Sequence, residues 1–181
     1  MRCLNKIKSI AIGSFDGLHM AHKVLINQVE ALIIIERNGG YLTPGYTRTF
    51  YTSKYCCFYH FDKIKTSTKE EFVATLKEDF PQLEKIVVGY DFAFGREKSG
   101  NANTLKALFD GEVVIVDEVM YQNISVHSRT IKSFLIEGNI LMANALLGRQ
   151  YALSGSVIRG QGLGEKSLVP TINLNVKPLS F

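Results

Sequence analysis

Apolar positions along the chain fall into short β-branched runs separated by stretches in which they recur every three or four residues. Ser9-Ile10-Ala11-Ile12 is one such run, closed by Gly13, the pattern of a buried strand entering a tight turn. From Ala21 onward Val24, Leu25, Val29, Leu32 and Ile33 keep helical spacing and Asn38-Gly39-Gly40 closes the segment, so the expected first unit is strand, glycine-bearing loop, helix. Thr68 with Glu71 three residues later has the form of a capping box, and Phe72, Leu76 and Phe80 mark one face of a helix that Pro81 stops. Ile86-Val87-Val88 reads as a second buried strand ending in Gly89, and a helix around residues 104–109 leads to another β-branched run, Val113-Val114-Ile115-Val116. Short helical patterns at 131–137 and 140–147 are each followed by a glycine, Gly138 and Gly148. Strands alternating with helices predict an α/β fold with a parallel sheet covered on both faces. Residues 41–65, rich in aromatics and threonine, fit neither period and are expected to be a long functional excursion or partly extended structure.

Beyond Tyr151 the character changes: Gly155, Gly160, Gly162 and Gly164 stand among alternating residues, as at the opening of a β-barrel, so a domain boundary is expected near Arg149, dividing 1–149 from 150–181. A length of 181 residues, 46% hydrophobic and 21% charged, suits one well-cored domain plus a fragment of another. The net charge of +4 is spread along the chain; it suits phosphate-bearing small molecules and is too weak to argue for nucleic acid. Three cysteines, two of them adjacent as Cys56-Cys57, give neither a disulfide framework nor a zinc spacing, so a reducing cytoplasm is the expected location. The start lacks the apolar stretch of a secretory signal, and the longest apolar run, residues 31–35, is too short to span a bilayer; no membrane partner is expected. Oligomeric state is not legible.

The strongest chemical signal is Ile12-Gly13-Ser14-Phe15-Asp16-Gly17-Leu18-His19-Met20-Ala21-His22, where the first strand hands over to the first helix. Backbone N–H groups at a helix start lack intrahelical partners and the helix dipole adds positive charge, so a polyphosphate binds favourably there. Gly13, Ser14, Phe15, Asp16 and Gly17 form the loop that would pass close to a nucleotide. His19 and His22, three apart in a first helical turn, share a face and can donate to one phosphate group. Nucleotidyl transfer needs no enzyme nucleophile, because an acceptor phosphate can attack the α-phosphorus in line; positioning and charge stabilisation suffice. A histidine pair can also merely cap a helix, but the whole eleven-residue context favours the phosphate role. No Cys or His cluster accompanies the pair to make a zinc site.

This segment resembles the signature of the nucleotidylyltransferase superfamily, and specifically of the prokaryotic bifunctional riboflavin kinase/FMN adenylyltransferase (FAD synthetase) family. The resemblance implies a Rossmann-like domain that transfers AMP from ATP to FMN, giving FAD and pyrophosphate, with magnesium carried by the ATP phosphates and no dedicated protein metal site. Where this chain has Ala21, the family usually has glycine between its histidines.

Three further segments extend the resemblance. Val88-Gly89-Tyr90-Asp91-Phe92-Ala93-Phe94-Gly95-Arg96-Glu97-Lys98-Ser99-Gly100-Asn101 follows the second strand and so belongs at the carboxyl edge of the sheet, beside the first loop. It resembles the family's flavin-side loop, which implies flavin contacts from Asp91, Phe92, Phe94, Gly95, Lys98 and Asn101; aromatic rings can stack on an isoalloxazine and Lys98 can meet the FMN phosphate. Ser125-Val126-His127-Ser128-Arg129-Thr130-Ile131-Lys132 opens a later helix where the superfamily has a Ser-Ser-Thr-x-x-Arg-like phosphate segment. Ser128 matches, while Arg129 and Lys132 stand in the threonine and arginine positions and still bring two positive charges to a helix start. The implied catalytic set is therefore His19, His22, Ser128, Arg129 and Lys132, with Asp16 ordering either the loop or the metal. Lastly, Leu146-Leu147-Gly148-Arg149-Gln150-Tyr151 and Pro170-Thr171-Ile172-Asn173-Leu174 are similar to the start of the family's riboflavin kinase barrel, Thr171 and Asn173 occupying its magnesium and ATP positions. With eight residues after Asn173 the barrel is incomplete, and kinase activity is expected only in a longer form. The family's Thr-Phe-x-Pro-like flavin contact has as its counterpart here only Thr43-Pro44-Gly45. His60 and His127 read as ordinary polar residues. Two alternatives stay open: transfer to another phosphate acceptor such as phosphopantetheine or glycerol phosphate, and a non-catalytic homologue that only binds flavin or nucleotide.

Overall fold

The computed structural model describes residues 4–37, 39, 41–159 and 172–175. In chain order the elements are β1 (Ser9–Gly13), α1 (Met20–Ile26), β2 (Ala31–Glu36), β3 (Tyr55–His60), α2 (Phe61–Ile64), α3 (Lys69–Asp79), β4 (Lys85–Gly89), β5 (Ala93–Phe94), β6 (Gly100–Asn101), α4 (Ala102–Leu108), β7 (Glu112–Val116), β8 (Met120–Tyr121), β9 (Ile124–Ser125), α5 (Ser128–Ile136), α6 (Ile140–Leu147), β10 (Ser156–Ile158) and β11 (Asn173–Asn175). Five strands make one sheet in the order β3-β2-β1-β4-β7. All its pairings are parallel, with Ile10 opposite both Ala31 and Ile86.

Side-chain alternation sorts the core into two layers. Ile10, Ile12, Ile33, Ile86 and Val88 pack with Phe72, Val73 and Leu76 of α3 and Leu105 of α4. Ala11, Leu32, Ile34 and Val87 face the other way and pack with Leu25 and Ile26 of α1. The direction of travel explains the split: β1 to β2 moves one way across the sheet, β3 to β4 and β4 to β7 the other, and crossovers of one hand then put their helices on opposite faces. A third cluster joins Leu42 and Val126 to Ile131, Ala143, Leu146 and Leu147, so that α5 and α6 close against the loop after β2.

The expected first helix is too long. It ends at Ile26, and Leu32 and Ile33 lie in β2, where residues 31–34 are fully buried from both sides. A strand in the middle of a parallel sheet is apolar at every position, and its β-branched run happens to continue a helical period. The unassigned stretch 41–65 contains a 3-10 helix (Gly45–Tyr51), the edge strand β3 and the one-turn helix α2. The strands expected at 9–13, 86–89 and 113–116 and the later helices are present. Thr68 accepts from the Glu71 amide at 3.1 Å while the Glu71 carboxylate accepts from the Thr68 amide at 2.8 Å, completing the capping box. Past α6, β10 and β11 form an antiparallel pair, in keeping with the opening of a barrel.

Candidate functional site

The sheet order reverses between β1 and β4, and ligand clefts of open parallel sheets form outside the carboxyl ends of the strands at such a switch point. A cleft of about 590 Å³ opens there, walled by the loops after β1 and β4, the end of β7 and the start of α5. It brings together Gly13, Ser14, Phe15, Asp16, His19, His22, Asp91, Phe92, Ser128, Arg129 and Lys132 from the predicted sites.

The loop after β1 is held in an uncommon shape. Phe15 and Leu18 lie in the left-handed region at φ 48° and 40°, a conformation that costs about 1 kcal/mol or more for residues with a Cβ. Both side chains are fully buried, and that burial offsets the cost. Gly17 also has a positive φ, 84°, and a Cβ there would lie 2.9 Å from Leu42 Cδ1. Its amide donates to Thr43 Oγ1 at 2.8 Å and its carbonyl accepts from Arg149 Nη2 at 2.8 Å.

Asp16, 4% exposed, is the hub of this loop. Its Oδ1 accepts from the Leu42 and Thr43 amides at 2.7 and 3.1 Å, its Oδ2 pairs with Lys132 Nζ at 3.1 Å, and its carbonyl accepts from Ser128 Oγ at 2.7 Å. The carboxylate thus ties three chain segments together, which makes it an organiser of the loop. Ser128 and Lys132 are reached through the same residue, which joins the loop to the start of α5.

His19 occupies the N-cap of α1, its Nδ1 accepting from the His22 amide at 3.4 Å. The two imidazoles stack, with centroids 3.6 Å apart and planes 17° from parallel, and Phe15 tilts against His22 at 5.2 Å. Burial pushes His19 down to about 3, helped by the His127 charge. Burial, then the neighbouring His19, then His127 and Arg48, hold His22 well below the usual histidine range. Both rings are therefore neutral at pH 7, and with His19 Nδ1 accepting, Nε2 carries that ring's proton. The His22 Nδ1 is buried without a hydrogen-bond partner among the described residues. Two uncharged rings stacked at the floor of a cleft are N–H donors that a bound anion would draw toward protonation.

The loop after β4 divides. Asp91 and Phe92 line the cleft, whereas Phe94 is buried at 5% exposure among Phe72 and Phe92. Gly100 packs flat on the Phe94 ring, where a Cβ would come within 2.7 Å. Gly95 turns the chain at φ 73°, and Asn101 caps α4 by accepting from the Thr104 amide at 2.9 Å. Lys98 is exposed and lies outside the cleft lining. Phe94, Gly95 and Asn101 therefore build the loop from within. Asn173 sits exposed in β11, away from the cleft; Thr171 lies outside the described residues. His60 is exposed at the start of α2.

Several site residues were not singled out by sequence reasoning. Thr43 holds the Gly17 amide, and Arg149 stacks on Tyr51 at 3.7 Å while bonding the Gly17 carbonyl. Arg37 and Tyr41 line the cleft beside β2. Arg48 is fully buried between Glu36, 3.2 Å away, and the Tyr41 ring, 4.3 Å from its centroid. Tyr90 and His127 meet at the mouth of the cleft. Of these, Arg37, Tyr41 and Arg48 carried no specific sequence signal, whereas Thr43, Tyr90, His127 and Arg149 stood inside the quoted motif segments.

Comparison with known proteins follows the same outline. A family model described as FAD synthetase matches residues 50–130, and one described as riboflavin kinase matches residues 147–180. The bifunctional riboflavin kinase/FMN adenylyltransferase of Buchnera aphidicola subsp. Schizaphis graminum is 26% identical over 206 residues, covering 98% of this chain and 66% of that protein. Its counterpart from Buchnera aphidicola subsp. Acyrthosiphon pisum is 27% identical over 201 residues, covering 94% and 64%. The chain thus spans just under two thirds of the length of these relatives. A crystal structure described as a macrolide-efflux protein from Streptococcus pneumoniae superposes with a TM-score of 0.79 at 25% identity, covering 94% of this chain and 65% of that one. Among the described residues, no helix is long and apolar enough to cross a membrane.

Proposed function

We propose that the chain is a member of the bifunctional riboflavin kinase/FMN adenylyltransferase family and that its cleft transfers AMP from ATP to FMN, giving FAD and pyrophosphate. The observation that carries the reading is the stacked, neutral His19–His22 pair at the floor of a cleft on the sheet's switch point. Residues 1–149 are assigned as the transferase domain and 150–181 as the first part of a riboflavin kinase domain, in line with the match over 147–180.

In the transfer, an oxygen of the FMN phosphate attacks the α-phosphorus, the bond to the bridging oxygen breaks, and its electron pair leaves with pyrophosphate. The protein supplies position and charge. His19 and His22 donate N–H groups to the reacting phosphates and gain proton affinity as charge builds. Arg129, exposed at the mouth, and Lys132 add positive charge, while Ser128 and Asp16 fix the first loop against α5. Flavin contacts narrow to Asp91 and Phe92, which face the cleft, with Phe92 backed by the stacked ring of Phe94 at 5.5 Å. Magnesium travels with the triphosphate, and no protein ligand is assigned to it, the Asp16 carboxylate being engaged by two amides and Lys132. Cys56 and Cys57, both free thiols, and ATP as the proposed substrate support a cytoplasmic setting.

The test is replacement of both His19 and His22 by Ala. FAD formation from FMN and Mg-ATP, followed by chromatography of the flavin, should be abolished while FMN still binds; retained turnover overturns the roles. Pyrophosphate released only when FMN is added separates a transferase from a module that merely binds nucleotide.

A further inference from the structure

Three distant segments hold the loop after β1 one peptide at a time. At the Asp16–Gly17 peptide the carbonyl accepts from Ser128 Oγ at 2.7 Å and the amide donates to Thr43 Oγ1 at 2.8 Å. The next peptide, Gly17–Leu18, accepts from Arg149 Nη2 at 2.8 Å, and its amide turns back to the Phe15 carbonyl at 3.3 Å. His19 follows at once as the N-cap of α1. Leu18 stands at φ 40°, which a free backbone with a Cβ would leave, so whatever fixes this peptide also fixes the direction in which the chain reaches His19. Local chemistry brings Arg149 to it. Gly148 ends α6 in the left-handed region at φ 65°, its amide donating to the Asn144 carbonyl at 2.9 Å, and Asn144 Oδ1 accepts from the Tyr151 amide at 2.7 Å. Lys23 of α1 donates to the Gly148 carbonyl at 3.3 Å. Between these ties the Arg149 guanidinium lies over the Tyr51 ring at 3.7 Å and donates to the Gln150 carbonyl at 3.2 Å as well as to Gly17. A flat group with a fork of donors can stack and bond two carbonyls together; an ammonium cannot.

We infer that Arg149, inside the stretch 147–180 that matches riboflavin kinase, is a positioning residue for the transferase cleft. It does not line the cleft, and it acts by holding the peptide from which His19 leaves the loop. The phosphate role of His19 rests on the transferase reading; the hold on Gly17–Leu18 does not. A donor that drifts from its place loses more in the transition state, where phosphate charge has grown, than in the ground state, so turnover suffers more than binding. The side chain that steadies the transferase loop is thus carried on the stretch of chain that leads into β10.

The experiment compares the whole chain with its Arg149→Met and Arg149→Lys variants, well below their unfolding temperatures, by NMR order parameters of backbone amides, Mg-ATP titration calorimetry and steady-state FAD formation. In Arg149→Met the order parameters of the Leu18 and His19 amides should fall from a rigid value of about 0.85 toward about 0.6, while those of Ile10 and Ala11 in β1 stay as in the parent. The kcat for FAD formation should fall about tenfold or more, Mg-ATP affinity a few-fold, and the KM for FMN should stay within about twofold. Arg149→Lys, which keeps the charge but loses the stack and the fork, should lie between, and it carries the same test should Arg149→Met not fold. An unchanged Leu18 order parameter overturns the inference, and so does a variant with the parent's kcat or one in which β1 loosens as much as Leu18. If the parent binds Mg-ATP but forms no FAD, the transferase reading fails alone; the inference then stands if a looser Leu18 comes with weaker Mg-ATP binding and falls if binding is unchanged. A parent that does not bind Mg-ATP sinks both.

Discussion

Acidification tests the buried histidine pair directly. Burial holds His19 near 3 against an ordinary value of 6.5, so the folded chain keeps this ring neutral while the unfolded chain protonates it below 6.5. The unfolded state binds more protons in that window, and stability, complete above about pH 6.5, falls as pH drops. Each unit of difference is worth about 1.4 kcal/mol, so between pH 7 and pH 5 His19 alone removes about 2 kcal/mol. His22, shifted the same way, adds to the loss. Against a domain stability of about 5–15 kcal/mol this is large. Urea unfolding at the two pH values, for the parent chain and for His19→Gln, measures it: the variant should lose about 2 kcal/mol less on acidification. A phosphate chain against the rings raises their proton affinity, so Mg-ATP should protect more at pH 5 than at pH 7. Identical pH dependence in parent and variant would refute the claim that this ring is buried neutral.

Two substitutions probe the loop that carries the pair. Gly17→Ala forces a Cβ into a backbone at φ 84° and within 2.9 Å of Leu42 Cδ1 and 3.3 Å of Leu147 Cδ2, so a loss of about 2–4 kcal/mol in chemical denaturation is expected, with FAD formation falling in step. Thr43→Val keeps the shape but strands the buried Gly17 amide, for a cost of about 1–3 kcal/mol; unfolding midpoints equal to the parent would show that the Gly17–Thr43 bond at 2.8 Å contributes nothing.

Local chemistry in the chain foretold much of this molecule. The run Ser9-Ile10-Ala11-Ile12-Gly13, the Thr68–Glu71 capping box and the β-branched residues 113–116 each name their element, because strand burial, cap hydrogen bonds and side-chain period are properties of neighbours in sequence. The paired histidines were legible as one unit for the same reason, being three apart, and their rings stack. What the tertiary structure decided is everything that depends on residues far apart. Leu32 and Ile33 could continue a helix or form a central strand, and only the pairing of β2 between β1 and β3 chose. Phe94 carries the same aromatic signal as Phe92, yet packing against Phe72 turned one inward and left the other at the cleft. Asp16 could order a metal or a loop, and it became the loop's organiser because amides 26 and 27 residues away and a lysine on α5 fold onto it. Periodicity records which faces of a segment are apolar; it cannot record which distant atoms will satisfy a buried charge, since that is settled only when the sheet brings them together.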